Sequence, residues 1–479
     1  MKRVLPLFAI LLLAYCTSED AVSVSPDEVY EFRQGCTVPL SENYDPEAQV
    51  DNGSCKPVTC ENCTYVVPAN KVMIDGAVLK IEAGDVICLN SGTSYLNLSF
   101  KNLKGTEAKP IIIVNCGGVA TLNATGKEYG IKTEACTNFK IVGVGSGGSP
   151  YGIKVKGSKL GLQLIGLSNF FEISGLEVFN NGGAGIMAKT DPSCSDDAAT
   201  RGNFVMKNVK IHHNYVHDVG TEGLYIGHSG YVSGITCSGN KVLPHELHNV
   251  KIFQNVVKNT GWDGIQLGCA TQGAEVYNNT IEDFGVLNKS SQWSGIQLGE
   301  GTNGLCYNNF IRNGVGQGII ALGLGNATMY NNLIIGAGKQ GIFADLRGDG
   351  PFGPGYKILN NTIVKSGGDG INIYAAKVTN KNVIINNLIV DPGTYGTYGS
   401  NTGKAFINNG SPGDITNNYY AESEGLAKFK DAGVSDYRLQ ESSPARDAGR
   451  DVSAFGVKKD FMGNARPNGS AYDIGAFEF

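Results

Sequence analysis

The chain has 479 residues, of which 66 are glycine, about twice the ordinary usage of roughly 7%. Lys and Arg number 39 and Asp and Glu 44, for a net charge of −5, and the basic residues form no stripe, which argues against nucleic acid as a partner. Beyond the N-terminus no long apolar segment occurs, so the mature chain is not expected to span a membrane.

Lys2 and Arg3 precede an apolar run, Val4 to Ala14, that is too short to cross a bilayer, the layout of an export signal. The run ends Leu13-Ala14-Tyr15-Cys16, which resembles a bacterial lipobox with Tyr15 where a small residue is usual. The resemblance implies lipidation at Cys16. The following Thr17-Ser18-Glu19-Asp20 resembles the surface-export tags of Bacteroidetes lipoproteins. Residues 1–16 are then signal and lipidation site, 17–35 a surface linker, and the protein an outer-membrane surface lipoprotein. The alternative is simple secretion.

Setting Cys16 aside leaves eleven cysteines, a usage that suits an oxidising compartment. Cys36 and Cys55 bracket GCTVPLSENYDPEAQVDNGSC, which resembles a small module of secreted Bacteroidetes proteins closed by one disulfide. Its Asp45, Glu47 and Asp51 are weak candidate calcium ligands, and the alternative is a stapled spacer over 36–55. Cys60 and Cys63 form a C-x-x-C with no second pair, a weak zinc or redox signal. Cys194 and Cys237 fall in long insertions of consecutive repeats, where a bridge would fit. From Thr64 to about Gly161 glycines and short apolar runs read as the first turns of a solenoid and its cap.

From about Ser168 to Tyr420 one pattern returns: an apolar strand, Asn or Asn-Asn, two apolar residues, then a glycine turn into another strand. The anchors are Asn214, Asn255, Asn279, Asn309, Asn332, Asn361, Asn387 and Asn418, at spacings of 23 to 41 residues. Asn278, Asn308, Asn331, Asn360 and Asn386 precede five of them. Asn tolerates a left-handed bend, and its amide can bond to the same amide one rung away. After each glycine the strands read Ile-Met-Ala (from Ile186), Leu-Tyr-Ile (Leu224), Ile-Gln-Leu (Ile265 and again Ile296), Ile-Ile-Ala (Ile319), Ile-Phe-Ala (Ile342) and Ile-Asn-Ile (Ile371). Alternation over so short a run marks strand. The fold class is therefore all-β, a right-handed parallel β-helix over 56–420. Its inward residues are Leu224, Ile226, Ile265, Leu267, Ile296 and Leu298, and its outward column is Met187, Tyr225, Gln266, Gln297, Ile320, Phe343 and Asn372.

After Tyr420 the pattern stops. The tail, from YRLQESSPARDAG to DFMGNARPNGSAYDIGAFEF within 421–479, resembles the terminal segment of secreted Bacteroidetes β-helix proteins. It is expected to pack over the last rung, whose edges would otherwise be open to other chains. The stretch VKIHHNYVHDVGTEGLYIGHSGY, with GWDGIQLG and WSGIQLGEGTNG, resembles Bacteroidetes right-handed β-helix repeat lipoproteins. At fold level the resemblance extends to pectate lyases, polygalacturonases, chondroitinase-type and alginate lyases and tailspike-type proteins. It implies a polysaccharide partner without assigning an activity.

All six histidines lie in one window: His212, His213, His217, His228, His245 and His248. Both tryptophans follow it, Trp262 and Trp293, each two residues before a glycine. On rungs about 4.8 Å apart they are neighbours, either a sugar platform or a shielded turn. The residue before each glycine forms a further column: Glu222, Asp263, Ser294, Gln317, Gln340 and Asp369. Turn chemistry is the plainer reading for the column as a whole, but two carboxylates on adjacent rungs beside the histidines and tryptophans, Glu222 and Asp263, equally permit glycosidase chemistry or cation binding. Uronate β-elimination needs a base, for which Tyr225 or His228 is a candidate, and a group that neutralises the carboxylate: Gln, Arg or calcium. Gln266, Gln297 and Glu300 complete the strip. Zinc on His213, His217 and His228 lacks an H-E-x-x-H-like spacing, and no metal is assigned. Asp345 and Arg347 form either one wall of a groove or a surface ion pair.

The catalytic candidates are thus Glu222, Tyr225, His228 and Asp263, and the substrate-binding candidates Trp262, Gln266, Trp293, Gln297 and Glu300. The expectation is a monomeric surface protein that binds and cleaves a polysaccharide, as a lyase ahead of a hydrolase. The alternative is a glycan-binding or adhesive protein without catalysis.

Overall fold

The computed structural model describes residues 33–394, apart from 37, 39, 40 and 49, and residues 406–479, apart from 412. The export signal, Cys16 and most of the linker lie outside the described residues.

Each full rung carries three strands. Around Asn255, Glu246–Phe253 leads to the asparagine, Val256–Thr260 follows it, and Ile265–Leu267 follows the glycine. Each strand pairs in parallel with its equivalent one rung on. Three long sheets result, of 14, 12 and 12 strands. They are named here first, second and third in the order the chain visits them. The winding is the right-handed parallel β-helix, the sense that parallel crossovers take. Leu224, Ile226, Ile265, Leu267 and Ile296 are fully buried and Leu298 is 3% exposed, within one core that runs from Val67 to Ile389.

The paired asparagines divide two jobs. The first of each pair takes the left-handed bend: Asn278, Asn308, Asn331, Asn360 and Asn386 have φ between 50° and 58°. The second is buried and makes the ladder. Asn214 Nδ2 donates to Asn255 Oδ1 at 3.0 Å, Asn255 to Asn279 at 3.0 Å, and Asn279 to Asn309 at 3.0 Å. The chain of amides continues through Asn332, Asn361 and Asn387 to Asn418. Each amide oxygen also accepts the backbone N–H of the preceding rung's asparagine, so the buried corner leaves few polar groups unmet.

Four disulfides join Cys36 to Cys55, Cys60 to Cys116, Cys63 to Cys88 and Cys194 to Cys237. The C-x-x-C cysteines thus serve two separate bridges that tie the segment after the N-terminal module to the strands of Cys116 and Cys88. Cys136, Cys269 and Cys306 are free and buried. In the module, the Asp45 carboxylate is held by the Arg33 guanidinium at 3.1 and 3.2 Å.

The tail does more than meet the last rung. Phe429, Tyr437, Leu439, Ile474 and Phe477 pack on the outer face of the second sheet, against Phe310, Leu333, Val364, Leu388 and Val390. Val452, Val457 and Tyr472 cover Leu359 and Ile385 of the first sheet. At the corner between, Asn331, Asn360, Asn386 and Asn417 donate their side-chain amides to the carbonyls of Lys459, Asp473, Arg450 and Ala448. The left-handed asparagines are therefore a docking rail for the tail along the solenoid's flank.

Candidate functional site

The outward column of the third sheet is in register from Met187 through Tyr225, Gln266, Gln297, Ile320 and Phe343 to Asn372. It is not the open strip that alternation suggests. Gln266 is 0% exposed and Gln297 5%. The loop after His228 turns back across them. Val232 N–H donates to Glu300 Oε2 at 3.0 Å. The Tyr231 ring lies so close over Gly301 that a Cβ there would meet it at 2.4 Å, and Val232 approaches Gly348 to 2.8 Å of the same imaginary atom. Arg201 stacks on Tyr231, its guanidinium carbon 3.7 Å from the ring centre. The groove expected over Gln266 and Gln297 is filled by the chain's own loop. Glu300 is a loop anchor, and Gln266 Nε2 donates to Ser229 Oγ of the loop at 2.7 Å.

The upstream end of the column, at Tyr225, remains half-open. Lys189 follows the strand Ile186–Ala188 and places its Nζ 4.6 Å from the centre of the Tyr225 ring. The same nitrogen meets Asp191 Oδ1 at 2.7 Å. The Tyr225 hydroxyl bonds to Ser229 Oγ at 2.8 Å. His228 Nδ1 accepts the Gly230 N–H at 2.9 Å, and its Nε2 faces Asp191 Oδ1 at 3.7 Å. Burial and the Lys189 charge hold the His228 imidazole below its ordinary pKa. Burial opposes the charge on Lys189, yet Tyr225 and Asp191 outweigh it and keep its pKa above the usual lysine value. The site therefore combines a firm cation with a neutral imidazole around a tyrosine. Lys189 and Asp191 escaped the sequence reading because they lie just past the Gly-Ile-Met-Ala strand, outside the repeating columns. The one available signal is that Lys189 stands one step beyond the strand that pairs with Tyr225.

Glu222 and Asp263 are both enclosed, 4% and 0% exposed. Burial raises the pKa of Glu222, and burial together with the Glu222 charge raises that of Asp263 well above the ordinary value. Asp263 Oδ1 accepts the Ser294 N–H at 2.6 Å, while Oδ2 has no partner. Two carboxyl groups shut inside a corner cannot flank a glycosidic bond, so the hydrolase pairing loses its basis.

Trp262 and Trp293 are half-buried and do not stack on each other. Trp293 is engaged within the fold: its Nε1 donates to Gln317 Oε1 at 3.1 Å and Lys339 Nζ lies 3.3 Å from the ring centre. The histidines, one cluster in sequence, are spread over different faces. His212 stacks on Phe253 of the first sheet, and His217 stacks between Phe179 and Tyr215 on the second. His245 is buried, with Nε2 accepting the Thr190 N–H at 3.2 Å, and His248 faces Glu246. His213, His217 and His228 form no metal cluster among the described residues.

Residues 245–411 match the family model described as a right handed beta helix region. No curated protein matches the chain's sequence. Similar solved structures include XylC in complex with xylose, 10% identical, covering 85% of this chain and 95% of that one with a TM-score of 0.51. Pectate lyase Pel9A is 15% identical over 84% of this chain and 90% of its own, with a TM-score of 0.46. A PL6 family polysaccharide lyase from Pseudopedobacter saltans is 14% identical over 73% and 92%, with a TM-score of 0.39. The chain is a right-handed parallel β-helix protein. At these identities the likeness is one of fold.

Proposed function

We propose that the protein is a carbohydrate-active β-helix that binds an acidic polysaccharide beside Tyr225 and cleaves it by β-elimination. The observation that carries this reading is the Lys189 ammonium poised over the Tyr225 ring at a half-open end of the third sheet. In β-elimination a base takes the C5 proton of a uronate, a C4–C5 double bond forms, and the C4–O bond breaks with the leaving oxygen taking a proton. Lys189 neutralises the uronate carboxylate, which acidifies C5. Tyr225 takes the C5 proton as its phenolate, beside the Lys189 ammonium, and as the phenol returns it to the leaving O4. The lone pair of His228 Nδ1 is occupied by the Gly230 N–H, so neutral His228 carries its proton on Nε2 and serves as a donor to substrate rather than as the base. The positive charge at this place is that of Lys189, whose Nζ also meets Asp191 Oδ1 at 2.7 Å.

The test is a screen on uronate polysaccharides for ultraviolet-absorbing unsaturated ends, with reducing-sugar release alongside. Tyr225→Phe should lower turnover by about 10²–10⁴-fold, the usual worth of a positioned proton-transfer group, and Lys189→Met by about 10²–10³-fold, the usual worth of one electrostatic stabiliser. Because burial and the Lys189 charge hold His228 below its ordinary pKa, its protonation should begin at lower pH than that of a free histidine. Unsaturated ends released equally by parent and both variants would place the chemistry elsewhere. Binding without release by any of them would favour the second reading, a non-catalytic glycan receptor. Attachment is proposed through lipid on Cys16. Cys16→Ala should move the protein from the outer-membrane fraction to a soluble pool, and unchanged fractionation would count against it.

A further inference from the structure

A second groove, of about 290 Å³, lies on the outer face of the first sheet, on the early rungs and away from Tyr225. Its floor contains a column in strict register: Asn138, Phe170, Asn208 and Asn249, followed by Gly273. All five are left-handed, with φ of 49°, 53°, 51°, 56° and 62°. Four are residue types that adopt this conformation easily. Phe170 is not: a bulky side chain at φ +53° is a true outlier. The neighbouring Asn169 holds the bend, its Oδ1 accepting the Phe170 N–H at 3.1 Å and its Nδ2 donating to Val205 O at 3.1 Å. The fold thus maintains an unfavourable conformation where asparagine would fit without strain. Strain retained in a concave, solvent-reached place points to a ligand rather than to packing.

The walls say what kind of ligand. Phe170 is half-exposed and lines the groove with the exposed amides of Asn208 and Asn249. Lys210 is exposed beside them and has no carboxylate partner among the described residues, whereas Lys140 is paired with Glu172 and Lys251 with Glu275. The lining also holds the exposed Glu107 and the Lys140-paired Glu172, and Asn249 Nδ2 donates to Asn208 Oδ1 at 3.1 Å. With Lys210 at the Phe170 end, the ring can take the apolar C–H face of a sugar, the remaining amide groups its hydroxyls, and Lys210 a carboxylate or sulfate. The aromatic ladder farther along this sheet, Phe253, Tyr277, Tyr307 and Tyr330, does not compete for that role. Its rings lie 4.8–4.9 Å apart and nearly parallel, so their faces are spent on each other.

We infer that the Phe170–Lys210 groove is a second, non-catalytic binding site for an acidic oligosaccharide. It would hold a polysaccharide chain on a face separate from Tyr225.

Calorimetric titration of the full mature chain tests this, with oligogalacturonate, oligomannuronate and chondroitin sulfate oligosaccharides as acidic probes and a neutral xylo-oligosaccharide as control. Phe170→Asn should raise the melting temperature, because it removes the strain, and should weaken binding of the preferred acidic probe at least tenfold. Lys210→Gln should weaken the same probe with no gain in stability. In the Lys189→Met background, which removes the cation of the Tyr225 site, Phe170→Asn should still weaken the remaining binding at least tenfold, so failure of the cleavage proposal does not decide the outcome here. The inference is overturned if no acidic probe binds, if Phe170→Asn binds as the parent does, or if the neutral probe binds as well as the acidic ones.

Discussion

At the scale of single residues, Asp263 shows what the fold imposes on a titratable group. It is fully buried, accepts one backbone N–H, and its carboxyl is pushed well above the ordinary range by burial and by Glu222. A folded-state pKa above the unfolded one means that the native chain keeps a proton the unfolded chain releases. That contribution is complete below the unfolded value of about 3.9 and is lost as pH rises through the folded value. Asp263→Asn preserves the shape without the titration. Melting curves from pH 4 to pH 8 should therefore show the parent losing stability relative to the variant as pH rises. Parallel curves would mean that Asp263 is ionised and paired in the fold. Read from sequence, Glu222 and Asp263 looked like a reactive pair because spacing reports adjacency but not burial.

At the scale of elements, the asparagine corner separates two energies that the sequence presents as one motif. Asn279 is buried, donates to Asn309 Oδ1 and Ile252 O, and accepts from Asn255. Its neighbour Asn278 is exposed and left-handed at φ 52°. Asn279→Ala strands several buried partners, each worth about 1–3 kcal/mol, so a loss of roughly 3–5 kcal/mol is expected. Asn278→Ala should cost only about 1–2 kcal/mol, the strain of a left-handed alanine, and Asn278→Gly almost nothing. Urea denaturation of the three variants checks the order, and equal losses at the two positions would refute this division of labour. The pairing was legible as a ladder because period and residue type are local properties. Which member of the pair bends and which bonds is a matter of backbone angle, and only the structure separates them.

At the scale of the whole molecule, the tail is part of the solenoid's stability and not only a stop. It covers second-sheet side chains from Phe310 to Val390, and the buried Arg466 binds Glu478 and the carbonyl of Gly475 within it. Truncation after Tyr420 should expose that apolar flank and the free amides of Asn331, Asn360 and Asn386. The shortened protein should aggregate or show increased binding of a hydrophobic dye, whereas an unaltered, monodisperse product would mean that the flank is not needed for solubility.

The sequence by itself determined the architecture. Inward aliphatics such as Ile265 and Leu267, the asparagine stack and the glycine corners are set by nearest-rung contacts, and these repeat with the chain. Tertiary structure alone decided which outward residues stay open. The loop at Tyr231 and Val232 is anchored to Glu300 and reaches Gly348, far along the chain, and so closes over Gln266 and Gln297 while leaving Tyr225 beside Lys189. The tail's course along the flank was likewise hidden, because its partners are asparagines up to 135 residues away. Periodicity encodes the rungs; the paths of the inserted loops and the tail are set by long-range packing and hydrogen bonding, which carry no period.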